Sequence, residues 1–122
     1  MPFRFQESRT PKGHPLLKVF VTGHVTLADA ESMGALVAPG GPNHGWLILS
    51  DVEKGVEYAP AARKYFPTMN GNYWALATRV TSPILRAAIN MMLRLTGQTP
   101  DLKMFSDEAE ALAWLDEFQR KA

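Results

Sequence analysis

The chain reads as a single α/β domain spanning residues 1–122, a mixed and mostly parallel sheet of about five strands flanked by about four helices. Three observations predict this. Strand-like and helix-like stretches alternate in the order β-β-α-β-α-β-α-β-α, the pattern of parallel strands joined by crossover helices. Tyr73 to Val80 is rich in strand formers and passes through Thr81-Ser82-Pro83 into a helical pattern that ends at Gly97. A strand that hands over directly to a helix is half of such a crossover unit. Finally, Trp46-Leu-Ile-Leu49 is continuously apolar, as a strand covered on both faces must be.

Taken in order, Phe3-Arg-Phe5 alternates apolar and polar and predicts a short edge strand. Arg9 to Pro15 is turn material, and Leu16-Leu-Lys-Val-Phe-Val21 is the second strand. Their short connector makes the two an antiparallel hairpin. Thr26 caps the first helix, with Asp29 three residues on completing an approximate capping box. Ala30, Met33, Gly34 and Val37 share its inner face, and Gly34 marks close packing on the sheet. Pro39 to Gly45 is a loop dense in breakers, followed by the apolar strand, with Ser50 and Asp51 at its exit and a loop over Val52 to Tyr58. Pro60 opens a short helix through Phe66 that turns Ala62, Phe66 and Met69 inward.

On the long helix, Leu85, Ala88, Ile89, Met92 and Leu93 recur at core spacing, while Arg86, Asn90 and Arg94 form a polar stripe. Thr81 or Ser82 suits its cap, Pro83 its first turn and Gly97 the position past its end. Leu102 to Phe105 is the last strand. Ser106 caps the final helix, Asp107 and Glu108 sit in its first turn, and Ala111, Trp114, Leu115 and Phe118 form its buried side. Arg120 and Lys121 complement the dipole at the other end.

Composition narrows the function. Hydrophobic residues at 46% and charged residues at 20% describe an ordinary globular protein, and a net charge of +1 lacks the basic bias of nucleic-acid binders. Zero cysteines exclude disulfides, thiolate zinc sites and cysteine nucleophiles. With no apolar run of membrane-spanning length and no secretion signal, the expected location is the cytoplasm. His14, His24 and His44 have no ligand-like spacing, so no metal or cofactor is expected. Gly40, Gly41 and Gly45 lack the lysine and helix of a phosphate loop, and no serine-nucleophile elbow occurs.

Two constellations remain. Asp51 and Glu53 follow the third strand, where a catalytic carboxylate would lie, although neighbouring acids on a loop are more commonly just solvated. Arg79, Thr81, Ser82 and Arg86 gather where a strand exit meets a helix start, a place where amides, hydroxyls and guanidinium groups attract anions. The plainer reading of that cluster is a helix cap with arginines in water. Apolar residues at 84, 88, 91, 92 and 95 spread more widely around the long helix than one buried stripe needs, which predicts a second contact surface and a possible homodimer.

Three motifs carry a resemblance: Ala61-Ala-Arg-Lys-Tyr-Phe66, Thr81-Ser-Pro-Ile-Leu-Arg86, and Met104-Phe-Ser-Asp-Glu-Ala-Glu-Ala-Leu-Ala-Trp-Leu115. Together they resemble the bacterial STAS-like, SpoIIAA-like proteins, related in fold to anti-sigma-factor antagonists and to the cytoplasmic domains of sulfate transporters. The resemblance runs from about Leu16 to Phe118 and implies a mixed sheet with helices packed around it. Antagonists of this fold are switched by phosphorylation of a serine or threonine in the loop entering the helix after the third strand. Here the matching stretch, Glu57-Tyr-Ala-Pro-Ala61, contains neither, so the resemblance carries no phosphosite over.

The expected function is a non-enzymatic regulatory or protein-interaction module. It would engage a protein partner or small anion through Tyr58, Arg63, Arg79, Thr81, Ser82 and Arg86. One alternative, implied by the likeness of this fold to lipid-transfer domains, is a carrier of an apolar ligand in a cavity lined by Met69, Ile89, Met92 and Trp114. The other is a small enzyme using Asp51 with Arg79.

Overall fold

A tight connector and two apolar strands make the first unit an antiparallel hairpin. In the computed structural model, β1 (Phe3–Arg9) pairs with β2 (Pro15–Val21), Phe3 opposite Val21 and Arg9 opposite Pro15. The structure describes residues 3–69, 71–96 and 102–120, with side chains except at 88, 92–96 and 118–120. The remaining elements are β3 (His24–Val25), α1 (Leu27–Val37), β4 (Leu47–Val52), β5 (Glu57–Tyr58), α2 (Pro60–Tyr65), a 3-10 turn (Phe66–Met69), β6 (Ala75–Val80), α3 (Pro83–Thr96), β7 (Leu102–Phe105) and α4 (Glu108–Arg120).

The main sheet has the order β1-β2-β4-β6-β7, and every pair after the hairpin is parallel. Because β2, β4, β6 and β7 advance in one direction, right-handed crossovers place α1, α2 and α3 on one face. The last helix, α4, covers the other. Strand alternation then makes two cores. Leu17, Val19, Ile48, Leu76 and Val80 point to the three-helix side and meet Ala30, Met33, Leu85 and Ile89. Leu16, Leu47, Leu49, Ala75, Ala77 and Phe105 point the other way and meet Ala111 and Leu115 of α4. Burying each large aliphatic side chain contributes about 1.5–3 kcal/mol, so these two layers are the main source of stability. The apolar run at Leu47, Ile48 and Leu49 is explained directly, since each is at most 1% exposed with a core on either side.

The first helix starts as its sequence dictates. Thr26 Oγ1 accepts the Asp29 N–H at 3.3 Å, while the Asp29 carboxylate accepts the Thr26 N–H at 2.9 Å, closing a capping box. That backbone N–H holds the Asp29 carboxyl below its usual range. At its other end, Gly41 lies so close to the last turn that a Cβ there would stand 2.5 Å from the Ala35 and Leu36 carbonyl oxygens. Asn43, which is buried, ties the same loop down through its N–H to Leu36 O and its side-chain amide to Glu7.

Several details differ from expectation. The edge strand β1 extends to Arg9, and β4 runs on through Ser50 and Asp51 to Val52. A separate two-stranded parallel ribbon pairs Val25 with Tyr58, the latter expected in a loop. Two residues are too few to show a periodicity, so only the tertiary pairing defines them. Tyr73 is buried but precedes β6, which starts at Ala75. Gly34 meets α2, not the sheet: a Cβ on it would stand 2.8 Å from Tyr65 Cζ. Asp107, not Ser106, caps α4, its carboxylate accepting the Glu110 N–H at 3.4 Å. The core roles expected of the Ala88, Met92, Leu93 and Phe118 side chains, the polar role of Arg94, the contact role of Leu95, and the terminal roles of Gly97, Arg120 and Lys121 lie outside the described residues.

Two stability predictions follow from this packing. Thr26→Ala is expected to lower unfolding free energy by about 1 kcal/mol near neutral pH. Asp29 has a depressed folded-state pKa, so its share of the box is complete above the ordinary carboxylate range and is lost as pH falls through the lowered value. The Thr26→Ala penalty in urea denaturation should therefore shrink in acid. Gly34→Ala gains about 1 kcal/mol of helix propensity but forces the Tyr65 ring aside, and overpacking of this kind costs about 1–3 kcal/mol. The substitution should destabilise the native protein and become stabilising in a Tyr65→Leu background, which thermal unfolding of the pair would read as a change of sign.

Candidate functional site

At the carboxyl ends of the parallel strands, one row of residues crosses the sheet on the α4 face. Arg4 lies opposite Phe20, Phe20 opposite Asp51, Asp51 opposite Arg79, and Arg79 opposite Phe105. Alternation puts this row on the same side as Leu16, Leu47 and Leu49; α4 covers its Phe105 end through Trp114 and leaves Phe20, Asp51 and Arg79 lining an open end. The helix spans 13 residues, about 20 Å, and its Asp116 carboxylate accepts the N–H of Lys12, in the turn before β2, at 3.3 Å. The uncovered end holds a hollow of about 350 Å³, with Phe20, Asp51 and Arg79 in its floor and Thr22, Lys54 and Thr81 at its rim.

The floor is electrostatically organised. Arg79 Nη1 donates to Asp51 Oδ1 at 3.0 Å, with the two side chains 37% and 26% exposed. The Arg79 Nε is buried and makes no hydrogen bond. Beside them the Arg4 guanidinium lies 4.2 Å from the centre of the Phe20 ring. The loop after β4 is anchored by the Glu53 N–H, which donates to Val21 O at 2.9 Å, and turns at Gly55 with φ 91°. The one carboxylate in the floor is thus occupied by a guanidinium, and Glu53 faces water at the edge.

Of the six residues expected to form a binding face, Arg79 and Thr81 line the hollow. The other four do not. Ser82 Oγ accepts the Leu85 N–H at 3.4 Å and Ser82 O accepts the Arg86 N–H, so Ser82 is the cap of α3. Arg86 Nη1 donates to Val80 O at 3.0 Å and fastens the helix start to the strand end. Tyr58 is half-buried on the three-helix side, edge-on to Phe66 at 5.7 Å, and burial pushes its hydroxyl pKa up. Arg63 is exposed on α2. Phe20, Thr22 and Lys54 are site residues that sequence reasoning missed. In Leu16 to Val21, Lys18 and Phe20 share the parity of Leu16, which already puts them on one face.

The cavity expected for an apolar ligand meets a barrier. Met69 and Ile89 belong to the three-helix core, while Trp114 packs on Phe105 beneath α4, so the sheet stands between them. Met92 lies outside the described side chains. Among the described residues, no three acidic or histidine side chains gather closely enough to hold a metal ion, and no helix is long and apolar enough to cross a membrane. His44 Nδ1 lies 2.7 Å from Val37 O at the end of α1, and His14 Nε2 lies 4.0 Å from Asp116.

A double-mutant cycle on the floor pair checks its energetics. Arg79→Gln, Asp51→Asn and the double variant should give a coupling of about 0.5–1 kcal/mol at low salt, as partly exposed pairs do, and less at high salt. Zero coupling at low salt would mean that the pair contributes nothing in solution.

Comparison with known proteins places this geometry in context. No curated protein matches the chain. Among solved structures, it is similar to an uncharacterised protein of the DUF3478 family with a SpoIIAA-like fold from Shewanella loihica PV-4. The two share 19% identity over 93% of each chain, with a TM-score of 0.63. At that identity the likeness shows the fold alone, and the fold agrees with the one implied by the sequence motifs. A family model described as a domain of unknown function, DUF7793, matches residues 24–119, and the chain belongs to that family.

Proposed function

We propose that this protein is a non-enzymatic interaction module that grips a protein partner by rigid docking at the carboxyl edge of its sheet. The observation that carries this reading is the open hollow of about 350 Å³ in which Arg79 already neutralises the only carboxylate of the floor. Such a surface offers shape, exposed hydroxyls at Thr22 and Thr81, and a charged rim, which are the elements of a docking patch. A base for chemistry would need its carboxylate directed at a substrate.

The native partner, once isolated from the source cell, tests the location. Thr22→Arg or Thr81→Arg should fill the hollow and weaken binding at least tenfold, as bulk at the centre of an interface does. Arg63→Glu, on the opposite side of the sheet, should leave binding within twofold. The reverse pattern would move the docking surface to α2 and sink this reading.

A second contact is supported on α3, where Ile84 is 85% and Met91 65% exposed. Seven residues apart, they lie on one side of the helix with Ala87 between them. A two-fold antiparallel pairing of α3 with its copy would set each Ile84 against a Met91 across the small Ala87, forming a homodimer. Light scattering should then show a dimer that Met91→Lys converts to a monomer; a monomer at high concentration in the native protein would rule it out.

A further inference from the structure

The first strand has one neighbour and a bare outer edge. β1 pairs residue for residue with β2 from Phe3 to Arg9, without a bulge. Among the described residues, β2 is the only strand or helix that packs along it. Hydrogen bonds at the turn identify the backbone groups left over. The Thr10 N–H donates to His14 O at 2.9 Å, so Thr10 faces β2. In an antiparallel ladder the N–H and C=O of one residue point the same way, and successive residues alternate. Ser8, Gln6 and Arg4 therefore bond to β2, while Arg9, Glu7, Phe5 and Phe3 direct both groups outward. Two further observations fix this phase. Pro15, which has no N–H, lies opposite Arg9. Val21, opposite Phe3, turns its carbonyl away from β1 to accept the Glu53 N–H.

Outer strands are ordinarily blunted by shortness, proline, lysine, a bulge or a covering element. The other outer strand, β7, is only four residues long. Phe3–Arg9 has seven residues and none of these devices. Its charged side chains are held in place by their own chain. The Arg4 guanidinium lies 4.2 Å from the Phe20 ring centre, Glu7 accepts Asn43 Nδ2 at 3.0 Å, and Arg9 Nη1 donates to Gly13 O at 2.7 Å. Glu7 and Arg9 are exposed on the side of Phe3, a fixed negative and positive pair two residues apart.

We infer that this edge receives an extended segment of a protein partner as a sixth, antiparallel strand of the main sheet, with a basic residue opposite Glu7 and an acidic residue opposite Arg9. An extended chain presents donors and acceptors at the two-residue spacing of the outward groups. A second copy of this chain matches the edge poorly, because bonded pairs must join one outward residue to another. Two-fold registers centred on Phe5 or Gln6 set Glu7 against Phe3 or Phe5, with no oppositely charged pair. Centring on Glu7 opposes two carboxylates. Only the register centred on Ser8 matches Glu7 with Arg9, and it leaves Phe3 to Gln6 without a partner in β1. The edge is separate from the hollow, whose floor begins at Phe20 on β2, so the two contacts are independent.

The peptide acetyl-ETKTVEV-amide follows the required pattern from Arg9 back to Phe3 and serves as the probe. At millimolar concentration it should slow amide exchange of the full-length protein at Phe5, Glu7 and Arg9 at least threefold, with little change at Arg4, Gln6 and Ser8. Methylating the backbone nitrogens of its lysine and first valine should remove the effect. Exchanging its first glutamate with its lysine should weaken binding about threefold at low salt. In the protein, Glu7→Pro deletes one outward N–H and no bond to β2, so the hairpin persists while protection at Phe5 and Arg9 is lost. Thr81→Arg, at the hollow, should leave peptide binding unchanged. No protection at millimolar peptide, equal protection by the methylated peptide, or undiminished binding to Glu7→Pro would each overturn the inference. A dimer of the native protein that Glu7→Pro dissociates would assign the edge to a second copy and overturn it as well.

Discussion

A sheet of five strands needs cover on both faces, and this chain distributes its helices unequally between them. Because the parallel strands advance in one direction, handedness commits three crossover helices to the same side. The other side receives only α4, a 13-residue helix that packs on Leu16, Leu47, Leu49, Ala75, Ala77 and Phe105. Everything distinctive about the molecule follows from that shortfall. The three-helix side can be apolar through to Val52 and Val80, whereas the α4 side is apolar only as far as Leu49 and Ala77. Beyond that point the same strands carry Phe20, Asp51 and Arg79, residues that tolerate water.

The order of the strands also accounts for the shape of the site. In sheets whose strand order reverses, the crossovers part to opposite faces and leave a deep crevice for ligands. Here the order never reverses within the parallel part, and the carboxyl edge holds a broad hollow instead. That hollow is floored by an arginine–carboxylate pair and has exposed threonines at its rim, the features on which the docking proposal rests. Other polar groups are committed to structure: Ser82 caps α3, Arg86 holds the end of β6, and His44 approaches the last turn of α1.

Signals in the sequence are legible where the physics is local. The capping box at Thr26 and Asp29, the buried positions Ala30, Met33 and Val37, and the strand Leu102–Phe105 each depend on a few neighbouring residues. Contacts between distant elements were not legible. Gly34 announced a close approach without naming Tyr65 as its partner, and the ribbon joining His24–Val25 to Glu57–Tyr58 has no pattern of its own. For the site, Arg79 and Thr81 were legible because a strand exit attracts attention. Phe20 was not, since an aromatic residue in an apolar strand is ordinarily core.

Periodicity and chain order by themselves determined the alternation of strands and helices, the α/β class and the hairpin that begins it, because side-chain direction and connector length decide these within a few residues. Which of Tyr58, Arg63, Arg79, Thr81, Ser82 and Arg86 stand together was decided only in three dimensions. The sheet is an opaque layer, and residues adjacent in sequence at its edge, such as Thr81 and Ser82, are committed to different tasks: one at the rim of the hollow, the other at the start of a helix. Where α4 stops short is likewise a matter of helix length against sheet width, a comparison no single stretch of residues contains.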